Sequence, residues 1–374
     1  ERDYAYAGSF YAFCIWIGLG VMALIDMVNN AVKNEKVRGA LAAVIVLVAL
    51  LVPVQMASQN WDDHDRSGRY TARDFGKNYL SSVDKNGIIF VNGDNDTFPL
   101  WYAQEVEGYR TDVKVVNLSY LSTDWYANQI QHPTYEAPAI DMYSSFKDYG
   151  NDAMAYCEVR PVVANSMKSA KEVFTEMLND PNHVFKYDYV YIPVDSSQVI
   201  KNNVVNKIYH EAINDTMFVR IGNRGSLALN QSLPLDMIAK NAENGWTRPI
   251  YYAVTVPNSY HLGLTPYLQQ TGMAYQVTPA ITGVDGDNGI NVDKMYDVVT
   301  NKYLWGGLDK SNDLYLDETV RRMVTTTRGT LLSLADELYI NGMIEAQNDS
   351  TNKVAGKEYF DKARNVLHLL EEKL

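Results

Sequence analysis

Two uncharged apolar runs at the start of the chain restrict what it can fold into more than any other feature. Tyr4 to Ile25 contains no charged residue, and neither does Gly39 to Trp61, within which Ala40–Val54 is almost wholly Ala, Val, Ile and Leu. Each run meets the requirement of about 20 apolar residues for a helix that crosses a bilayer. The expected organisation is a transmembrane hairpin over residues 1–61, with spans at about 6–28 and 39–58. Between them Lys33, Lys36 and Arg38 outnumber Glu35. The positive-inside rule therefore puts this short loop in the cytoplasm, with Tyr4, Tyr6 and Trp61 at the opposite interface.

The rest of the chain reads as a soluble, acidic protein outside the cytoplasm. Of 374 residues, 33 are basic and 45 acidic, and residues 1–61 hold four of each sign. The whole net charge of −12 thus belongs to residues 62–374. That balance excludes nucleic acid as a partner, because phosphate binding needs clustered Lys and Arg. A content of 27 Tyr and 6 Trp excludes a disordered chain. Two cysteines, Cys14 and Cys157, do not make a disulfide framework. The opening Glu1-Arg2-Asp3 lacks the pattern of a signal peptide and leads straight into an apolar run. The expectation is the carboxy-terminal part of a longer polytopic protein.

The predicted fold class is α/β. Residues 62–300 are expected to form a mainly parallel, Rossmann-like domain, and 301–374 an α-helical region. Gly87–Val91 reads as a buried strand, Asn92-Gly-Asp-Asn-Asp-Thr97 as a turn, Phe98–Glu107 as a helix with Pro99 in its first turn, and Val113–Leu118 as a second strand. Strand, helix and strand within about 30 residues make a βαβ unit with parallel strands. The acidic turn then lies where open α/β sheets bind ligands, at the carboxyl end of a strand. Asp94 and Asp96 would repel a phosphate there, so a hydroxyl-rich sugar, a cation or a basic side chain suits the site better. Ser122–Ile130 reads as another capped helix at the same sheet edge. The candidate ligand-binding residues are Asp94, Asn95, Asp96, Trp101, Asp124, Trp125 and Tyr126. Rings beside carboxylates and amides suit carbohydrate, while plain capping and a core Trp125 are the alternatives.

No dedicated metal set is present. The cluster Asp62-Asp63-His64-Asp65 matches no ligand spacing, and the segment Asp285–Asp293 fails the EF-hand pattern, with Gly289 at its fifth position and Tyr296 at its twelfth. Both read as solvated acidic turns, and a divalent cation is the minor alternative. In the tail, Val320, Met323, Val324, Thr327, Leu331, Leu334, Ala335 and Leu338 follow helical spacing, Asn341-Gly342 breaks it, and Tyr359–Leu370 resume it. One such hairpin is similar to a tetratricopeptide unit. No Gly-rich phosphate loop or Gly-x-Ser-x-Gly elbow occurs, and the six histidines are scattered.

Five stretches carry a family resemblance: Glu1–Phe10, Gly93–Val106, Arg110–Ser119, Asp124-Trp-Tyr126 and Arg248-Pro-Ile-Tyr-Tyr252. The chain resembles the Bacteroidetes-type membrane proteins of the DUF2723 family, which are related to protein O-mannosyltransferases of GT-C architecture. The resemblance implies a multi-pass inner-membrane enzyme with its large domain in the periplasm. It would move a sugar from a polyprenyl-phosphate donor to an extracytoplasmic protein or glycan acceptor recognised by the soluble domain. The catalytic first-loop carboxylate of such enzymes matches no residue here, so catalytic residues stay unassigned. Glu1, Arg2 and Asp3 are candidates for a cavity at the membrane surface. The alternatives are a membrane-tethered glycan- or protein-binding scaffold without catalysis, and a hydrolytic or metal-dependent domain using Asp94, Asp96 and Asp124.

Overall fold

The computed structural model describes residues 3–283, 286–310, 314–348 and 356–374. The chain forms two compact units, Glu1–Ser67 and Gly68–Leu374. The first holds two long helices, α1 (Ala7–Ala31) and α2 (Glu35–His64). Both are long and apolar enough to cross a membrane, with mean hydropathy 2.0 and 2.6 in their most apolar windows, and neither window is buried. A helix apolar on every face needs either a protein core or lipid around it.

The second unit is built on a mixed six-stranded sheet. In chain order it opens with α3 (Thr71–Ser81), β1 (Ile88–Val91), α4 (Asp94–Glu105), β2 (Lys114–Asn117) and α5 (Asp124–Gln131). A lateral excursion follows: α6 (Phe146–Tyr149), β3 (Tyr156–Glu158), β4 (Met167–Ser169), α7 (Ala170–Asn179), β5 (Tyr189–Pro193), α8 (Ser196–Lys201), β6 (Thr216–Arg220) and β7 (Ser226–Ala228). Then α9 (Leu229–Glu243) leads back to the main sheet through β8 (Ile250–Ala253), β9 (Leu268–Gln270), β10 (Ala274–Val277) and β11 (Gly289–Ile290). The unit ends with α10 (Val292–Asn301), α11 (Glu318–Asn348) and α12 (Lys357–Lys373).

Strand order in the main sheet is β11-β9-β10-β8-β1-β2. The expected βαβ unit is present: β1 runs parallel to β2, with Ile89 opposite Val115, and parallel to β8, with Phe90 opposite Tyr252. Every residue of β1, β2 and β8 is buried, as befits strands covered on both faces. The sheet departs from the mainly parallel expectation at its other side, where β10 pairs antiparallel with both β8 and β9. Only Thr271-Gly272-Met273 separates β9 from β10, and so short a connection joins antiparallel strands, not parallel ones. The excursion makes two smaller sheets, β3-β7 and β4-β5-β6.

Two further differences have clear causes. The helix after β1 starts at Asp94, not Phe98, so Pro99 lies inside it. Gly93 has φ +79° and ψ 173°, a conformation open essentially to glycine, which turns the chain straight out of the strand. Thr97 then closes the first turn by donating its N–H and Oγ1 hydrogens to the Gly93 carbonyl. In the tail, α11 runs unbroken through Asn341-Gly342. Gly342 is instead a contact point: a Cβ there would stand 2.7 Å from the Phe360 ring of α12. The hairpin has arms of 31 and 17 residues, and its approach to the sheet is fixed on α3. Asn78 exchanges two hydrogen bonds with the Leu304 backbone, and Asp74 accepts from the Gly306 N–H.

Candidate functional site

The strands β1, β2 and β8 end on one edge, and the turn after each contributes to it. Asn92 and Asn117 close β1 and β2. Ser119 donates to Asn92 Oδ1 at 2.9 Å, joining the two turns, while Asn117 Oδ1 accepts the Ser119 and Tyr120 N–H groups. Asn117 Nδ2 donates to Thr97 Oγ1 at 2.8 Å. These bonds tie together the turns that lead into α4 and α5, with the amino ends of both helices at the strand termini.

The predicted residues separate into three groups. Asp94 and Asn95 are exposed in the first turn of α4, where a carboxylate complements the helix dipole. Tyr120 donates its hydroxyl to Asp94 at 3.3 Å. Asp96, two residues on, is only 7% exposed and points inward. Thr255, just past β8, donates to its carboxylate, and Tyr79 of α3 lies 3.1 Å from that threonine oxygen. Asp124 accepts the Asn151 N–H at 2.8 Å and is held against the lateral excursion. Asp94, Asp96 and Asp124 thus each have a separate partner. Among the described residues no group of three or more His, Cys, Asp or Glu side chains could hold a metal ion.

The aromatic candidates, by contrast, come together. Phe98 and Trp101 are 5.8 Å apart, Trp101 stacks on Tyr120 at 6.1 Å, Tyr120 meets Tyr126 edge-on at 5.8 Å, and Tyr126 meets Trp125 at 5.6 Å. Five rings from α4, the β2–α5 turn and α5 therefore form one continuous run. Trp125 is 57% exposed and so is not a core residue, and Phe98 is also exposed. Tyr126 is buried and accepts the Asn117 N–H at 2.9 Å. The order buried Tyr126, half-buried Trp101 and Tyr120, exposed Trp125 and Phe98 gives a ring surface rooted in the core. Such faces carry large contact area at small entropic cost.

Beside this run, a pocket of about 280 Å³ opens between β2, α4, α5 and the segment after α5. Trp101 and Tyr126 line it; the rest of the lining, which includes Gln104, Glu105, Lys114, Thr134 and Tyr135, is absent from the sequence-based candidates. Lys114 was legible in principle, because a lysine inside the run Val113-Lys-Val-Val is a charge in a strand that must be buried. Glu1 and Arg2 lie outside the described residues, as do Val284 and Asp285 of the acidic turn. Asp3 begins a short 3-10 helix, Asp3–Tyr6.

Burial raises the Asp96 pKa to about 6, against the lowering effects of the Thr255 and Asn92 hydrogen bonds. A carboxyl whose folded pKa lies above its unfolded value of 3.8 contributes stability at low pH, and that contribution is lost as pH rises through about 6. A shift of about two units corresponds to about 3 kcal/mol. Urea unfolding at pH 4 and pH 7.5 is therefore expected to show a larger loss in the wild type than in Asp96→Asn. Identical pH dependences in the two proteins would contradict the buried placement.

The model of the family described as TMEM260-associated domain 2 matches residues 72–295, the span from α3 into α10. A protein O-mannosyl-transferase, tmem260 of Dictyostelium discoideum, is similar at 23% identity over 121 residues, which is 30% of this chain and 15% of that relative. The chain therefore aligns with only a small part of the relative's length. No solved structure matches it.

Proposed function

The chain belongs to the TMEM260-associated domain 2 family, and from that premise we propose that it serves a membrane-bound, glycosyltransferase-like protein as the part that recognises the acceptor or its glycan. The observation that carries the recognition role is the five-ring run from Phe98 to Trp125 at the carboxyl edge of the parallel strands. Ring faces cover the C–H surface of a sugar, and the exposed Asp94 and Asn95 beside them accept from its hydroxyls. The similarity to a protein O-mannosyl-transferase supports sugar transfer as the wider activity.

In this reading α1 and α2 cross the inner membrane, the Lys33–Arg38 turn is cytoplasmic, and Gly68–Leu374 acts on the periplasmic side. The sugar comes from a polyprenyl-phosphate donor, and the GT-C architecture and DUF2723 kinship implied by the resemblance belong to the same proposal. The reaction itself is assigned to no residue of this chain. A second reading, a tethered binding module without chemistry, rests on the same rings, which bind without reacting.

The decisive experiment assays membranes for transfer of labelled mannose from a polyprenyl-phosphate donor, with and without the gene, and compares glycoproteins of the deletion strain. Transfer lost with the gene supports the enzyme reading, and unaltered glycoproteins overturn it. Recognition is tested separately with Trp125→Ala. Removal of an exposed ring that touches glycan is expected to weaken binding by about 1–2 kcal/mol, or roughly 5- to 30-fold, with little change in thermal midpoint. Glycan-array binding equal to that of the wild type would remove the rings from the site.

A further inference from the structure

We infer that the pocket beside the aromatic run takes a saccharide carrying an anionic group, a carboxylate or a phosphate, which the Lys114 ammonium binds. The sugar half of this inference rests on the proposed glycan reading, and the anionic half rests on Lys114. The residue is 5% exposed and forms part of the pocket lining. Its ammonium donates to the His132 carbonyl at 2.6 Å and to Thr134 Oγ1 at 2.7 Å. Both acceptors are neutral, and an ammonium has three hydrogens, so one donor is left for a ligand.

The charge is also uncompensated. Arg110 is paired with Asp112, Lys77 with Glu107 and Lys294 with Asp84, whereas no described carboxylate forms an ion pair with Lys114. The charge that acts on it is Arg248, of its own sign. Burial first, and that repulsion second, lower the Lys114 pKa to about 8. One carboxylate stands in the lining, Glu105; it is exposed and accepts the Tyr135 hydroxyl. A buried cation without a counter-charge is a strained arrangement that an entering anion relieves.

Trp101 and Tyr126 supply the ring surfaces for the sugar body. The volume of about 280 Å³ lies just below the range of about 300–1,000 Å³ for pockets that take drug-sized ligands. It suits one sugar ring with its charged substituent.

Isothermal titration of the full chain in detergent with glucuronate, glucose 6-phosphate, inorganic phosphate and methyl glucoside tests this. At pH 7 a charged sugar is expected to bind at least about tenfold tighter than methyl glucoside. Its affinity is expected to fall above about pH 8, where Lys114 loses its proton, and Lys114→Met is expected to abolish the preference. A tighter glucuronate assigns the carboxylate and a tighter glucose 6-phosphate the phosphate. Equal binding of methyl glucoside overturns the anionic half and leaves the glycan reading standing. Phosphate bound through Lys114 with no sugar bound keeps the anion site and overturns the glycan reading of this pocket. Failure of every anionic probe, or a preference that survives Lys114→Met, overturns the inference. Should that variant not fold, the wild-type pH profile decides: affinity unaltered up to pH 10 is the contrary result.

Discussion

Asp236→Ala is expected to destabilise the soluble unit by about 3–5 kcal/mol, the range for stranding buried partners of a charged group. Asp236 sits in the middle of α9 and is wholly buried. Its carboxylate accepts from the Tyr143 N–H at 2.7 Å, the Ser144 N–H at 2.9 Å and the Ser144 hydroxyl at 2.6 Å. All three donors belong to the segment between α5 and α6, so one side chain fixes the lateral excursion to the helix that feeds β8. Alanine leaves three donors without an acceptor, two of them on the buried Ser144. Asn has the right shape but offers one acceptor oxygen and brings an NH₂ against donors, so it is expected to recover only part of the loss. Chemical unfolding followed by near-ultraviolet circular dichroism measures both variants. A loss below 1 kcal/mol for alanine would mean that water reaches these donors.

Gly76→Ala is the second large effect, and it acts on the site as well as on stability. A Cβ on Gly76 of α3 would stand 2.4 Å from the Pro99 carbonyl oxygen and 2.5 Å from its carbon, both backbone atoms of α4. Neither can rotate away, so α4 must move. Overpacking of this kind costs about 1–3 kcal/mol, with the upper end expected where backbone meets backbone. Because α4 carries Asp94, Asp96 and Trp101, the displacement is expected to disturb the Trp101–Tyr120 stack. Loss of glycan binding together with a lowered thermal midpoint is the expected pair of results. A fully folded variant with unaltered tryptophan fluorescence would show that the α3–α4 contact is looser than the structure has it.

The motifs behind the family resemblance acquire mostly architectural reasons. Arg110 donates to the Leu80, Val83 and Asp84 carbonyls while paired with Asp112, which in turn accepts the Asn86 N–H. Arg248 donates to the Asn86, Pro138 and Ala139 carbonyls. Both arginines hold the turns at the amino ends of the strands, on the edge opposite the aromatic run. A guanidinium with five donors can gather several carbonyls at once, so these stretches specify the scaffold of the sheet. Their sequence spacing gave no sign of that division of labour, because the carbonyls they meet are up to 162 positions away.

Local pattern was enough for the βαβ unit, the two apolar helices and the placement of an acidic turn beside aromatics, since each depends on neighbours within about 30 residues and on burial that a run of apolar side chains already declares. The start of α4 depended on a glycine at φ +79°, and the continuity of α11 on a ring from α12 packed at Gly342, so neither was fixed locally. Only the tertiary structure decided which acidic residues face water. Asp94 and Asp96 are two apart, and the turn geometry sends one outward and the other onto Thr255. It also decided that Trp125 lies at the surface and that Lys114, unremarkable in a list of residues, is a buried charge at a pocket wall. The physical reason is the same in each case: composition and periodicity report which residues seek burial, while the partners that satisfy a buried charge come from distant segments and exist only once those segments are packed.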